Sequence, residues 1–116
     1  IRTAAVKQPD GSWVLNGEKI WITNGPIADF FTVFAKTDSE RGKITAFIVE
    51  KDFPGVSTGP KEDKLGIRAS ATSTVSFNNV RVKPENVLGE EGLGFKVAMS
   101  ILNNGRTGLG GGAVGG

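Results

Sequence analysis

The chain contains no cysteine and no histidine among its 116 residues. Without cysteine there is no disulfide and no thiolate nucleophile, and without histidine the commonest general base is missing. The usual zinc sites need one or both of these residue types, so we expect no metal site of that kind. The absence of cysteine is compatible with a reducing compartment.

The sequence also lacks a long apolar run and a strong charge of either sign. No stretch approaches the ~18 apolar residues that a membrane-spanning helix needs, and no signal or transit segment is visible. Fourteen basic residues oppose 12 acidic ones, a balance that argues against a nucleic-acid or membrane surface. A chain of this length is one domain or a piece of a larger one. Because it opens without a start Met and stops without a closing signal, we expect a piece.

Strand and turn signals dominate the first three quarters of the chain. Pro9–Gly11 predicts a turn, Asn16-Gly17 a tight hairpin and Asn24–Pro26 another break. The predicted strands, rich in β-branched and aromatic residues, cover residues 30–36 and 43–50, joined by the polar link 37–42, and the shorter stretches "PGVSTG", "TSTVSF" and "VRV", the last after Asn78-Asn79. Strand candidates at this spacing predict a mainly β fold, an antiparallel barrel or sandwich.

The hydrophobic period changes near Gly92. Phe95, Ala98, Met99 and Leu102 fall at positions i, i+3, i+4 and i+7, which predicts one amphipathic helix starting near Leu93. The acidic pair Glu90-Glu91 just before it is expected to complement the positive end of the helix dipole.

The tail after Arg106 is rich in glycine. Each Gly inside a helix costs ~1 kcal/mol relative to Ala, so the last turns are expected to fray unless neighbouring segments hold them. Gly110, Gly112 and Gly115 match G-x-G-x-x-G, but that motif binds phosphate only between a strand and a helix start. These glycines follow a helical pattern, so we reject a dinucleotide site here.

The stretch "EKIWITNG", residues 18–25, allows two interpretations. In a regular strand Trp21 and Thr23 share one face and Ile22 takes the other. Burial statistics alone favour a core Trp with a Thr at the strand end. Alternatively, Trp21 packs against a flat aromatic ligand while the Thr23 hydroxyl bonds a ring heteroatom, as a flavin site requires. The chain offers no nucleophile–base pair, so chemistry would come from a cofactor or from outside it.

Several longer stretches carry a family resemblance: "LNGEKIWITNG", "FTVFAKT", "ITAFIVEKDFPGVSTGP", "KLGIRASAT" and "VRVKPENVLGEEGLGFKVAMSILNNGR". Together they resemble the middle of an acyl-CoA dehydrogenase, nearly collinearly from Ile1 to about Arg106. The similarity is greatest to the very-long-chain branch and to its relative that helps to assemble respiratory complex I.

The resemblance implies a three-domain parent. Residues 1–91 would be the middle β-barrel domain, and residues 92–116 the truncated beginning of the C-terminal helical domain. FAD would lie between the two domains, with Trp21, Ile22 and Thr23 beside its ring and Thr23 near N5, which reverses the preference for a core Trp. The family's FAD-phosphate loop would lie just ahead of Ile1.

The resemblance also implies the reaction. A carboxylate removes the α-proton of a fatty acyl-CoA in β-oxidation while the β-hydrogen leaves as hydride to the flavin, which then reduces an electron-transfer flavoprotein. Asn103, Asn104, Gly105 and Arg106 match the thioester-binding region. Arg41, with Lys43, lies where some members approach the CoA nucleotide, a weaker match.

The sequence departs from some family branches at Gly105, where they carry the catalytic Glu. The base is therefore expected in the missing C-terminal domain, and no residue of this chain is predicted to be catalytic. Gly105 is compatible with room for a long acyl chain or with helix packing. The resemblance further implies a homo-oligomer, in mitochondria if the source is eukaryotic or in the cytoplasm if it is bacterial. Two alternatives stay open: a scaffold or assembly factor that uses the barrel as an interaction surface, and an acyl-CoA oxidase.

Overall fold

The computed structural model describes residues 1–38 and 40–116 and folds them into seven strands, a 3₁₀-helix and a long α-helix. The elements are β1 Ala4–Lys7, β2 Trp13–Thr23, β3 Phe30–Asp38, β4 Lys43–Glu50, β5 Val56–Thr58, β6 Thr72–Val82, the 3₁₀-helix Pro84–Asn86, β7 Val87–Leu88 and α1 Gly94–Gly115. The predicted mainly β fold class is confirmed. Ser39, in the predicted link 37–42, lies outside the described residues.

All seven strands described form one sheet in the order β5-β6-β2-β1-β3-β4-β7. Neighbours are antiparallel except β1 and β3, which run parallel. Trp13 on β2 and Phe47 on β4 are separated by two strands, which in a flat sheet means about 14 Å. Their ring centroids nevertheless lie 5.6 Å apart in an edge-to-face contact. The sheet is therefore strongly curled around a common interior.

The core consists of side chains that alternate along the strands onto the concave face. Its members are Ala5, Trp13, Leu15, Phe31, Val33, Ala35, Phe47, Val49, Val75, Phe77, Val80 and Val82. They come from β1, β2, β3, β4 and β6, so strands distant in sequence share one apolar interior. Because burial of apolar surface drives folding at about 25 cal/mol per Å², this shared interior is the main source of stability.

The predicted hairpin at Asn16-Gly17 is wrong. β2 continues through both residues, and Gly17 has a φ of 144° next to a bulge in the β2–β6 pairing. Asn78-Asn79 on β6 face this point, and the Asn16 side chain accepts a hydrogen bond from the Asn79 backbone N–H at 2.9 Å. The tolerance of Asn and Gly for left-handed backbone serves here to form a bulge instead of a chain reversal. For the same reason "TSTVSF" and "VRV" are one strand, β6.

The turns at Pro9–Gly11 and at Asn24–Pro26 are confirmed. In the first, Asp10 Oδ1 accepts hydrogen bonds from the hydroxyl and the backbone N–H of Ser12, at 2.6 and 3.0 Å. Both bonds lower the pKa of the Asp10 carboxyl, and the bond from the hydroxyl has the larger effect. Gly11 has a φ of 87°, a conformation that Gly adopts without steric cost.

The predicted helix is confirmed as α1 and packs on the sheet only through its start. Gly94 is buried, and a Cβ built on it would lie 2.8 Å from Ile44 O. Residues 100–116 are exposed, and the helix is continuous to Gly115. Glycine weakens a helix but does not block its hydrogen bonds, so the geometry persists. Among the described residues, no helix has both the length and the apolar character to cross a membrane.

The acidic pair Glu90-Glu91 lies just ahead of α1, and its role at the helix dipole stays a prediction. Glu91 also forms an ion pair with Lys7 at 2.9 Å. The pair links the segment before α1 to the end of β1. Because both side chains are about half exposed, it contributes little stability.

Candidate functional site

The candidate site lies at the end of β2, where the strand carries a second bulge. Lys19 pairs with Val75 and Ile22 pairs with Ser73, so Ile20 and Trp21 together face the single residue Thr74. Two residues opposite one is the defining feature of a β-bulge. Trp21 has a φ of 57°, a left-handed conformation that is rare for a bulky side chain.

The bulge reverses the alternation of the strand. Before it, Trp13 and Leu15 are buried and Lys19 is half-buried, so continued alternation would turn Trp21 inwards. The inserted residue instead makes Ile22 pack against the core, while 64% of Trp21 is exposed. Thr23, at the strand end, is exposed as well. The core-Trp interpretation of "EKIWITNG" is therefore wrong for Trp21, whereas Trp13 is a core Trp at 3% exposure.

The side chains at this strand end have the chemistry that a flavin ring requires. An exposed indole offers a flat apolar face, and a hydroxyl two residues further along can donate or accept a hydrogen bond. Ile22 anchors the stretch between them to the apolar interior. The residues present thus fit one wall of an isoalloxazine site, although the roles assigned to them remain predictions.

Lys19 is a feature of this region that the sequence analysis missed. Its ammonium donates a hydrogen bond to Phe34 O at 2.7 Å, which links β2 to β3 across β1. Burial disfavours the charged ammonium and so lowers the pKa of Lys19. The strand pattern could have indicated this burial. Lys19 is an even number of residues from Trp13 and Leu15, and such residues share one face of a strand.

The other predicted contact residues lie elsewhere. Strand pairing places Arg41, in the exposed turn between β3 and β4, at the end of the sheet opposite to Trp21. Asn103, Asn104, Gly105 and Arg106 occupy exposed positions of α1. Nothing lies within 4 Å of a Cβ built on Gly105, apart from the backbone of its own helix. The structure therefore brings Trp21, Ile22 and Thr23 together but does not join Arg41 to them.

Within residues 1–38 and 40–116, no three Asp, Glu, His or Cys side chains converge on a point that could hold a metal ion. The candidate site is thus defined by an aromatic face, a hydroxyl and an apolar anchor.

Comparison with known proteins gives this arrangement a context. The family model for the acyl-CoA dehydrogenase middle domain matches residues 1–80. A mitochondrial very long-chain specific acyl-CoA dehydrogenase of Macaca fascicularis is 60% identical over 117 residues, which cover 94% of this chain and 18% of that protein.

Two solved structures share the fold at high sequence identity. Butyryl-CoA dehydrogenase from Megasphaera elsdenii matches with a TM-score of 0.90 and 53% identity, over 93% of this chain and 29% of that one. An acyl-CoA dehydrogenase from Bacillus anthracis complexed with FAD matches with a TM-score of 0.84 and 48% identity, over 91% and 18%. The chain thus spans less than a third of the length of these relatives.

Proposed function

Because the chain belongs to the acyl-CoA dehydrogenase family, we propose that it forms the flavin-facing part of an FAD-dependent (very) long-chain acyl-CoA dehydrogenase. Residues 1–91 would be the middle domain of that enzyme and residues 92–116 the beginning of its C-terminal helical domain. The observation that carries the proposal is the outward-turned Trp21, which a bulge takes out of the interior of the sheet.

FAD, when bound, supplies the acceptor for the hydride that leaves the β-carbon of the acyl-CoA. In the proposal, Trp21 contributes the apolar face against which the ring rests, and this face also excludes water from one side of the cleft. The Thr23 hydroxyl orients the ring by a hydrogen bond, and Ile22 fixes both neighbours to the core. None of these groups takes a proton from substrate, so the base comes from another part of the protein.

The substrate side of the proposal uses α1 and the β3–β4 turn. Asn103, Asn104, Gly105 and Arg106 would approach the thioester, and Arg41 would meet the CoA nucleotide. The substrate class is fatty acyl-CoA in β-oxidation, and the electron acceptor is an electron-transfer flavoprotein. We further propose a homo-oligomer, located in mitochondria in a eukaryote and in the cytoplasm in a bacterium.

The wall is tested by Trp21→Ala in the full-length protein that contains this chain. We expect bound FAD per protein to fall severalfold after gel filtration, with little change in the melting temperature of the apoprotein. Leu65→Ala, at a fully exposed apolar residue outside the sheet, is the matched control and should retain its flavin. A large drop in melting temperature with normal flavin content would contradict the assignment.

The reaction class is tested with palmitoyl-CoA and an artificial electron acceptor, using the full-length protein. Reduction of the acceptor supports a dehydrogenase. Stoichiometric peroxide in the presence of oxygen would instead identify an oxidase, and a flavin-free, inactive protein that still binds its partners would identify a scaffold.

A further inference from the structure

We propose that a tight contact between Gly25 and Ser73 positions Trp21 for the flavin. The inference rests on the proposed function for its purpose, but the contact itself is a property of this chain. Gly25 follows the site in sequence, and Ser73 lies on the neighbouring strand β6 as the partner of Ile22. Neither residue touches the ring in this proposal, so both would act through the backbone that carries Trp21.

The contact has no room for a side chain on Gly25. This glycine is buried, and a Cβ built on it would lie 2.6 Å from Ser73 Oγ and 3.1 Å from Ile22 O. Real Cβ atoms essentially never approach within 3.0 Å of another heavy atom, so any larger residue must displace Ser73 or lift the turn. Since Ile22 adjoins Trp21, lifting the turn would also move the bulge.

Hydrogen bonds connect this contact to both sides of the bulge. Gly25 N–H donates to Ile22 O at 3.1 Å, and Asn24 N–H donates to Ala71 O at 2.7 Å. On β6, the fully buried Ser73 hydroxyl donates to the carbonyl of Thr74, which is the residue opposite the bulge. The chain is therefore held immediately after Trp21 and directly across from it.

The left-handed backbone of Trp21 needs such support. A bulky residue avoids a positive φ unless the surrounding structure imposes it. Without restraint, β2 would gain by regaining regular pairing, and regular alternation would turn the indole inwards. The Gly25–Ser73 contact opposes this because it fixes Ile22, not Trp21, as the inward residue.

The test uses the 116-residue chain and the two indole N–H signals of its ¹H–¹⁵N spectrum, one for each Trp. In Gly25→Ala we expect the Trp21 signal to shift or broaden while that of Trp13 stays. The double variant Gly25→Ala/Ser73→Ala should restore the Trp21 signal, because it removes the hydroxyl that the new methyl group meets. Unchanged Trp21 signals in all variants would overturn the proposal.

Gly17→Ala is the matched control. A Cβ there would lie 2.7 Å from Thr3 Cα, so this variant also strains β2, but at a point that precedes the bulge at Ile20 and Trp21. It should lower stability without moving the Trp21 signal, and an equal shift in this control would overturn the proposal. If Gly25→Ala does not fold, Ser73→Ala alone decides. It loosens the same contact, so a broadened Trp21 signal supports the proposal and an unchanged one contradicts it.

The link to the cofactor is measured separately in the full-length protein. There we expect Gly25→Ala to weaken FAD binding by about tenfold, because a misplaced wall loses a large part of its contacts with the ring. Two outcomes are decisive once the Trp21 signal has shifted in Gly25→Ala. If Gly25→Ala and Trp21→Ala both bind FAD with normal affinity, the contact still positions Trp21 but the proposed function is refuted. If only Trp21→Ala loses FAD, the role of the contact in positioning Trp21 for the flavin is refuted.

Discussion

The backbone of Trp21 is the least regular feature of the candidate site at the scale of single residues. A left-handed conformation costs an L-residue roughly 1–2 kcal/mol, and glycine is spared this cost. Among the described residues, four non-glycine residues have a positive φ, and two of them are asparagines, which tolerate it. Trp21 does not belong to that class, and its conformation accompanies the bulge opposite β6.

The conformational cost at Trp21 leads to a prediction about two substitutions that remove the indole. In the 116-residue chain, Trp21→Gly should be more stable than Trp21→Ala by about 1 kcal/mol, because both lose the indole but only Gly accepts a φ of 57° freely. Urea unfolding of the two variants measures the difference. At Thr23, in extended backbone, the order should reverse in favour of Ala. A more stable Ala variant at position 21 would show that the bulge relaxes when the indole is removed.

Lys19 predicts a pH dependence. Its folded pKa lies below the ordinary 10.5 because of burial, so the unfolded chain holds this proton to higher pH than the folded chain. Unfolding therefore takes up a proton between the two pKa values, and Lys19 lets stability rise with pH through that window. We expect wild type to gain stability relative to Lys19→Met as the pH rises towards the ordinary lysine pKa of 10.5. Lys83→Met, at an exposed site, shows what removing a surface charge does alone.

Sequence reasoning singled out Trp21, Ile22 and Thr23 for the candidate site, but it did not give the backbone geometry of the strand end that carries them. The family resemblance singled out Trp21 and Thr23, and their chemistry suggested a flavin. Burial statistics alone favoured the core for Trp21. The bulge forms through pairing with β6, more than fifty residues away in sequence, so no local pattern around Trp21 predicts it.

At the scale of elements, the same limit explains the hairpin that was predicted at Asn16-Gly17. Local propensity shows that the backbone can turn sharply at this dipeptide, and it does not show whether the chain reverses. The second asparagine pair, on β6, faces the first, and the two pairs share a bulge. By contrast, the strand over residues 43–50 was predicted with its observed bounds, because it is rich in β-branched and aromatic residues and bordered by turns.

The junction between β4 and α1 gives an element-scale prediction. Gly94→Ala would place a methyl group 2.8 Å from backbone atoms of Ile44 and Thr45, which cannot move aside without disturbing the sheet. We expect a loss of about 1–3 kcal/mol in the free energy of unfolding, as in other overpacked sites. Denaturant unfolding followed by tryptophan fluorescence measures it.

Gly108→Ala is the control within the same helix. Nothing outside the helix backbone lies within 4 Å of a Cβ built there, so Ala should strengthen α1 locally by up to about 1 kcal/mol. Far-UV circular dichroism should show slightly more helix, and the unfolding midpoint of the sheet should stay constant. Equal destabilisation by both variants would mean that α1 packs on the sheet beyond its first turn.

At the scale of the whole molecule, the fold class followed from the sequence but the order of the strands in the sheet did not. Strand-forming segments are visible locally, whereas the parallel pair of β1 with β3 and the contact between Trp13 and Phe47 depend on distant segments. The curled sheet buries one apolar interior and leaves Trp21 at one end and Arg41 at the other. If Trp21 faces the flavin and Arg41 meets the CoA nucleotide, as proposed, the ligands extend from one end of the sheet to the other, and further parts of the protein would complete their sites.

A flavin site that is divided between this chain and another part of the protein predicts weak FAD binding by the isolated 116-residue chain. One exposed wall contributes a single face to the ring, and the affinity of an enclosed site requires contacts on several sides. We therefore expect a dissociation constant above about 10 μM, which corresponds to a modest binding free energy. Titration by flavin fluorescence measures it, and Trp21→Ala should weaken it further while Leu65→Ala should not. Sub-micromolar affinity of the isolated chain would mean that the sheet itself contains a complete flavin site, and the division of the site between domains would then be wrong.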